Sequence, residues 1–192
     1  MKRALACVAL SLAAGLVPGP ARGQDLLQAL QKASDAISRN ALEEAVPRLE
    51  EALRHISLRL PLRAQNAVYV KEGPKGYKMY QPREGSAFRP GEPILVYVEP
   101  VHYGLREVGE FREIDIRSDL RVMNAGGQVL FSKEGFGRFQ LRTRGWNREL
   151  FITITVNLTG APAGNYVLGI RLVDNVTGKN VDFTLPFTLS GG

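Results

Sequence analysis

The sequence predicts a mainly β protein, an antiparallel sandwich of two sheets entered through a helical segment. Three observations predict it. From Leu150 to Leu158 apolar residues fall at every second position, with Thr153, Thr155 and Asn157 between them. After a turn at residues 159–164, Tyr166, Leu168, Ile170 and Leu172 repeat the alternation. After a second turn at residues 174–178, Val181, Phe183, Leu185, Phe187 and Leu189 repeat it again. Period two is the signature of a strand with one face in a core and the other in water. Three antiparallel strands of this length need a second sheet over their apolar face.

Residues 1–23 read as a secretory signal peptide. Lys2 and Arg3 open it, Ala4 to Val17 is an uncharged apolar run, and Pro18-Gly19-Pro20 breaks that run. Ala21-Arg22-Gly23 places small residues for cleavage before Gln24, which predicts an exported, periplasmic or extracellular protein. The run is too short for a membrane anchor, and the mature chain has no apolar stretch of the roughly 20 residues that a span needs. Cys7 is the only cysteine, so the mature form would have no disulfide and no thiolate-bound metal. Cleavage removes Lys2, Arg3 and Arg22, leaving 22 basic residues against 19 acidic and a net charge of +3. So small a diffuse charge argues against a nucleic-acid partner.

Residues 24–60 are helical in pattern. Leu26, Leu30, Ala33 and Ile37 form one apolar stripe, and Leu42, Val46, Leu49, Leu53, Ile56 and Leu60 form a second. Asn40 with Glu43 resembles a capping box that would start a second helix. Pro47 then kinks that helix or marks its true start. The segment is a helical hairpin or one long kinked helix. Its stripe predicts self-association or docking on another envelope protein.

Residues 61–192 carry the strands. Ala67–Val70 is a short one. From Lys71 to Pro93 the chain is crowded with Gly and Pro, which excludes long regular structure, although Tyr77–Tyr80 has the pattern of an edge strand. Ile94–Val98 is a continuous apolar run and reads as a central strand. Ile114, Ile116, Leu120 and Val122 alternate with charged residues, and Asn124-Ala125-Gly126-Gly127 is a hairpin turn. Val129–Phe131 returns, and Phe139–Thr143 is a further strand. The total is about seven or eight strands at sandwich spacing.

Pro162, Gly164 and Tyr166 resemble the tyrosine corner of immunoglobulin-like and fibronectin-type sandwiches. The hairpin Tyr166–Leu189 and the run Phe88–Pro93 ahead of an apolar strand are similar to exported bacterial members of that group. The resemblance covers roughly residues 66–189. It implies that the Tyr166 hydroxyl bonds back to the backbone a few residues upstream. It implies no activity. Leu168 stands where an antibody-type domain has its second disulfide cysteine, and Trp146 is not on the third strand.

No catalytic motif, phosphate loop or dinucleotide fingerprint is present, and no cofactor or metal is expected. A non-catalytic binding or scaffold module of the cell envelope is the first reading. The alternative is an envelope hydrolase or carbohydrate-binding accessory using the loops around Glu99, His102 and Trp146. The binding candidates are Tyr77, Tyr80 and Arg83 in the Gly/Pro-rich loop, His102 and Tyr103 at a strand end, and Arg142 and Arg144 beside Trp146. Loops of that length are often functional, or else their aromatics cover a sheet edge. Arginine forks beside an indole suit an anion or a sugar. Alternation alone also places those arginines on the solvent face of a strand.

Overall fold

The computed structural model describes residues 21–191. The leader run expected at residues 4–17 lies outside them, and residues 21–23 stand in the first turn of a helix. Helix α1 spans Ala21–Ser38 and α2 spans Leu42–Arg59. Two helices therefore form, rather than one long kinked one. Asn40 does not start α2. It closes α1 in the left-handed conformation at φ 56°. The Asn40 N–H donates to the Ile37 carbonyl at 2.9 Å and the Ala41 N–H to the Ala36 carbonyl at 2.8 Å. Asn tolerates this conformation and so can end a helix as glycine does. Pro47 lies inside α2 and does not mark its start.

The buried side chains of the two helices are alanines: Ala29, Ala33, Ala36, Ala45 and Ala52. Small side chains let helix axes approach closely. The large members of the expected stripes, Leu30, Ile37, Leu42, Val46, Leu49 and Leu53, are 36–57% exposed. One compact unit runs to His55 and the other from Ile56 to Gly192. The end of α2 belongs with the second unit.

The second unit contains nine strands among the described residues: β1 Arg63–Tyr69, β2 Ala87–Phe88, β3 Ile94–Val101, β4 Arg106–Val108, β5 Phe111–Asn124, β6 Val129–Thr143, β7 Ile152–Val156, β8 Gly164–Asp174 and β9 Asn180–Leu189. A three-stranded sheet has the order β1-β3-β7. A six-stranded sheet has the order β2-β9-β8-β5-β4, with β6 also on β5. All pairings are antiparallel except the short parallel one of β2 with β9. Both sheets feed one core. Ile94, Val96, Val98, Ile152, Ile154 and Val156 enter it from the smaller sheet, and Ile114, Ile116, Leu120, Leu168, Ile170, Leu172 and Phe187 from the larger.

Three strand expectations change. The strand at Leu150–Leu158 does not pair with the next one. It is β7 and pairs β3, while β8 and β9 lie in the other sheet. Alternation fixes which residues face a core, not which strand lies alongside. Val129–Phe131 and Phe139–Thr143 are one strand, continuous through an irregularity between Ser118 and Leu120 of its partner. Tyr77–Tyr80 is no strand, because the Gly76–Met79 bridge is isolated. The corner between β7 and β8 has the expected hydrogen bond: the Tyr166 hydroxyl donates to the Pro162 carbonyl at 2.7 Å, and its ring stacks on Phe187.

Candidate functional site

β3 sends Ile94, Val96 and Val98 into the core, so Tyr97 and Glu99 face the other side of the smaller sheet. That side is not left to solvent: both residues are 0% exposed. Tyr80, from the Gly/Pro-rich loop, stacks on Tyr97 at 4.1 Å between ring centres, and Phe151 stacks at 5.5 Å. The Tyr97 hydroxyl donates to Glu99 Oε1 at 2.7 Å and accepts from the Lys78 N–H at 2.9 Å. Asn66 Nδ2 donates to Glu99 Oε2 at 2.8 Å. Asn66 and Lys78 both have left-handed backbones, at φ 50° and 59°. Burial, chiefly, pushes the Tyr97 hydroxyl above its ordinary range, and Glu99 adds to the shift. The long loop therefore places Tyr80 over the sheet, while Tyr77 lies under the Lys78 ammonium at 5.1 Å.

His102 follows β3 with a left-handed backbone at φ 67°. Its Nδ1 lies 3.0 Å from Ser57 Oγ. Lys179 Nζ donates to the carbonyls of Leu58 at 2.8 Å, Leu60 at 2.7 Å and His102 at 3.2 Å. Burial, then the charges of Lys179 and Arg63, lower the His102 pKa. A neutral imidazole against a serine hydroxyl is half of a nucleophile–base arrangement. Sequence reasoning passed over Ser57, because nothing local links it to a histidine 45 residues away. Glu99 does not complete the set, since its oxygens face Asn66 and Tyr97. The neighbouring Tyr103 donates its hydroxyl to the Asn147 carbonyl.

The arginines lie on the larger sheet and its margins. On the outer face of β5 and β6, Glu113 is held by Arg106 and by Arg142, whose Nε is 2.9 Å away. Arg138 grips Asp115 through Nε at 3.0 Å and Nη2 at 2.7 Å, and Asn175 adds a bond of 3.0 Å. Led by Arg138, these donors hold the Asp115 carboxyl down to about 2. Arg144 pairs with Glu110 and lies over Phe111 at 5.0 Å. Trp146 is half-buried under Arg148 at 5.3 Å. Arg83 bonds Glu92 at 2.6 Å and the Ala87 carbonyl at 2.7 Å, and lies over Phe88. Tyr103, raised in pKa by burial and then by nearby Tyr77, bonds the residue next to Trp146, whereas Tyr80, Arg83, Arg142 and Arg144 engage separate partners. Among the described residues, no three potential metal ligands come together, and no helix is long and apolar enough to cross a membrane.

No protein-family model matches the chain, and no curated protein does. Among the solved structures that share parts of its outline are the following two. A Pseudomonas fluorescens alkylpurine DNA glycosylase, AlkC, bound to DNA containing an abasic site analog, is 9% identical over 79% of this chain, at a TM-score of 0.40. The chain spans 39% of that protein's length. A superoxide reductase (neelaredoxin) from Ignicoccus hospitalis is 15% identical over 56% of this chain and 77% of its own, at a TM-score of 0.32. At these scores neither likeness carries an argument about what this chain does.

Proposed function

We propose that the chain is a non-catalytic, exported binding or scaffold module of the cell envelope, an immunoglobulin-like sandwich with a helical association hairpin. One observation carries the association role. The helices bury alanines and leave Leu30, Ile37, Leu42, Val46, Leu49 and Leu53 36–57% exposed. Large apolar side chains left exposed along a helical stripe are a mark of an interaction site. Its occupant is a second copy, because an apolar stripe is complementary to itself and a two-fold dimer sets like against like. The leader-like residues 1–23 support export, and the Tyr166–Pro162 hydrogen bond supports the immunoglobulin-like reading.

Size-exclusion chromatography with light scattering on residues 24–192 is the test. A dimer is expected for the parent chain and a folded monomer for Leu49→Glu/Leu53→Glu. A monomeric parent, or a dimer that survives both substitutions, removes the association role. A second reading, an envelope hydrolase, rests on the Ser57–His102 contact. It requires that a fluorophosphonate label the chain at Ser57 and that His102→Asn abolish labelling. Absence of labelling ends it.

A further inference from the structure

The longest strand of the larger sheet has an open side. Among the described residues β6 pairs only with β5. Between Gly137, opposite Ser118, and Lys133, opposite Leu120, three residues of β6 face the single Asp119. In this bulge Gly135 has φ 59°, and its N–H donates to Asp119 Oδ1 at 2.8 Å. Bulges of this kind spoil an edge for further pairing. From Gly137 to Thr143, however, seven residues run in unbroken register with β5.

The two faces of that segment differ. Phe139 and Leu141 lie opposite Ile116 and Ile114, on the core side. Ile114 and Ile116 are at most 1% exposed, but Leu141 is 39% exposed. The larger sheet is wider than the smaller one, and the core side of β6 is incompletely covered. On the other face stand Arg138 and Arg142, whose side chains remain 59% and 62% exposed while engaged with Asp115 and Glu113. Across the ladder Glu113 lies opposite Arg142 and Asp115 opposite Gln140, with Arg138 reaching Asp115 diagonally, while Ile114 and Ile116 face the core. A strand of the same pattern suits the open edge.

We propose that the Gly137–Thr143 edge accepts, by strand addition, an extended partner segment that alternates acidic and aliphatic residues. Main-chain hydrogen bonds would supply affinity, and alternate side chains specificity. Charge selects this occupant over a second copy. Antiparallel self-pairing of the seven residues about Gln140 sets each Arg138 against the other copy's Arg142, and like charges directly opposite are destabilising.

The probe is a fluorescein-labelled peptide of about eight residues alternating Glu with Ile and Val, long enough to span the edge. Its binding to the full chain is followed by fluorescence anisotropy. Amide chemical shifts of the unmodified protein show where it binds. Binding is expected to weaken with salt and to fall about tenfold or more in Leu141→Lys, which puts a cation in the apolar lane. Leu130→Lys, beyond the bulge, should leave it unchanged. Shift changes should concentrate at residues 137–143 and in β5, a readout that survives if Leu141→Lys fails to fold. Any of four results overturns the proposal. They are no binding at about 1 mM, equal binding of a scrambled or Lys-for-Glu peptide, shift changes elsewhere, and a dimer of the chain that Leu141→Lys dissociates.

Discussion

His102 shows how a single side chain can answer to three neighbours from distant parts of the chain. Ser57 Oγ meets its ring, Lys179 holds its carbonyl, and Arg63 adds positive charge. The folded protein therefore favours the neutral imidazole, whereas the unfolded chain takes up a proton near the ordinary value of 6.5. The stability this provides is complete above that value and is lost as pH falls through the depressed folded pKa. Urea midpoints measured from pH 7.5 to 5 should fall for the parent chain and fall less for His102→Asn, which keeps a residue tolerant of the left-handed backbone. An equal fall in both variants means that other groups carry the pH dependence. The sequence offered His102 as a binding candidate but supplied none of its partners. Ser57, Arg63 and Lys179 are brought in by strand pairing and by the end of α2, which no local spacing encodes. The same holds for Arg142. Its parity on β6 was legible, and its bond to the buried Glu113 was not.

At the scale of elements, period and punctuation were good guides to where helices and strands lie, and weaker guides to how they end. Asn40 has the composition of a cap in either direction. The neighbouring Ser38 and Arg39 gave no hint that its left-handed φ of 56° closes α1. Asn40→Gly should keep stability within a few tenths of a kcal/mol, since glycine adopts that conformation freely. Asn40→Ala should cost about 1 kcal/mol. Thermal unfolding of the two variants decides it, and equal losses would show that the cap contributes through its side chain instead. β6 was read as two strands, Val129–Phe131 and Phe139–Thr143, with Gly135 and Gly137 between them. The bulge uses that glycine freedom while the ladder with β5 continues past it. The helical stripe was legible as a pattern, but not the choice of alanines for burial, because spacing does not say which of two neighbouring apolar lanes is covered.

For the whole molecule, alternation and turn spacing were enough to indicate a mainly β chain behind a helical segment. They could not distribute strands between sheets. β7 and β8 have the same pattern and are joined by a short turn, yet they belong to different sheets across one core. The unequal width of those sheets makes burial uneven along a single ladder. Ile116→Ala, at 0% exposure, should cost about 2–5 kcal/mol because it opens a cavity. Leu141→Ala, two positions away on the same face of the paired strand, should cost less than about 1 kcal/mol. Denaturant midpoints of the two variants test this, and comparable losses would mean that the overhang of β6 is packed after all.

The place of β9 also sets an order of events in time. This last strand lies between β2 and β8 rather than at a margin, and it brings Phe187 and Leu189 to the core. Until the residues after Asn180 have left the ribosome, β8 lacks one neighbour and β2 has none to pair with. The growing chain is thus held back from closing its core until that strand emerges. A product that stops short of Asn180 would present open strands to chaperones and proteases instead of a finished fold.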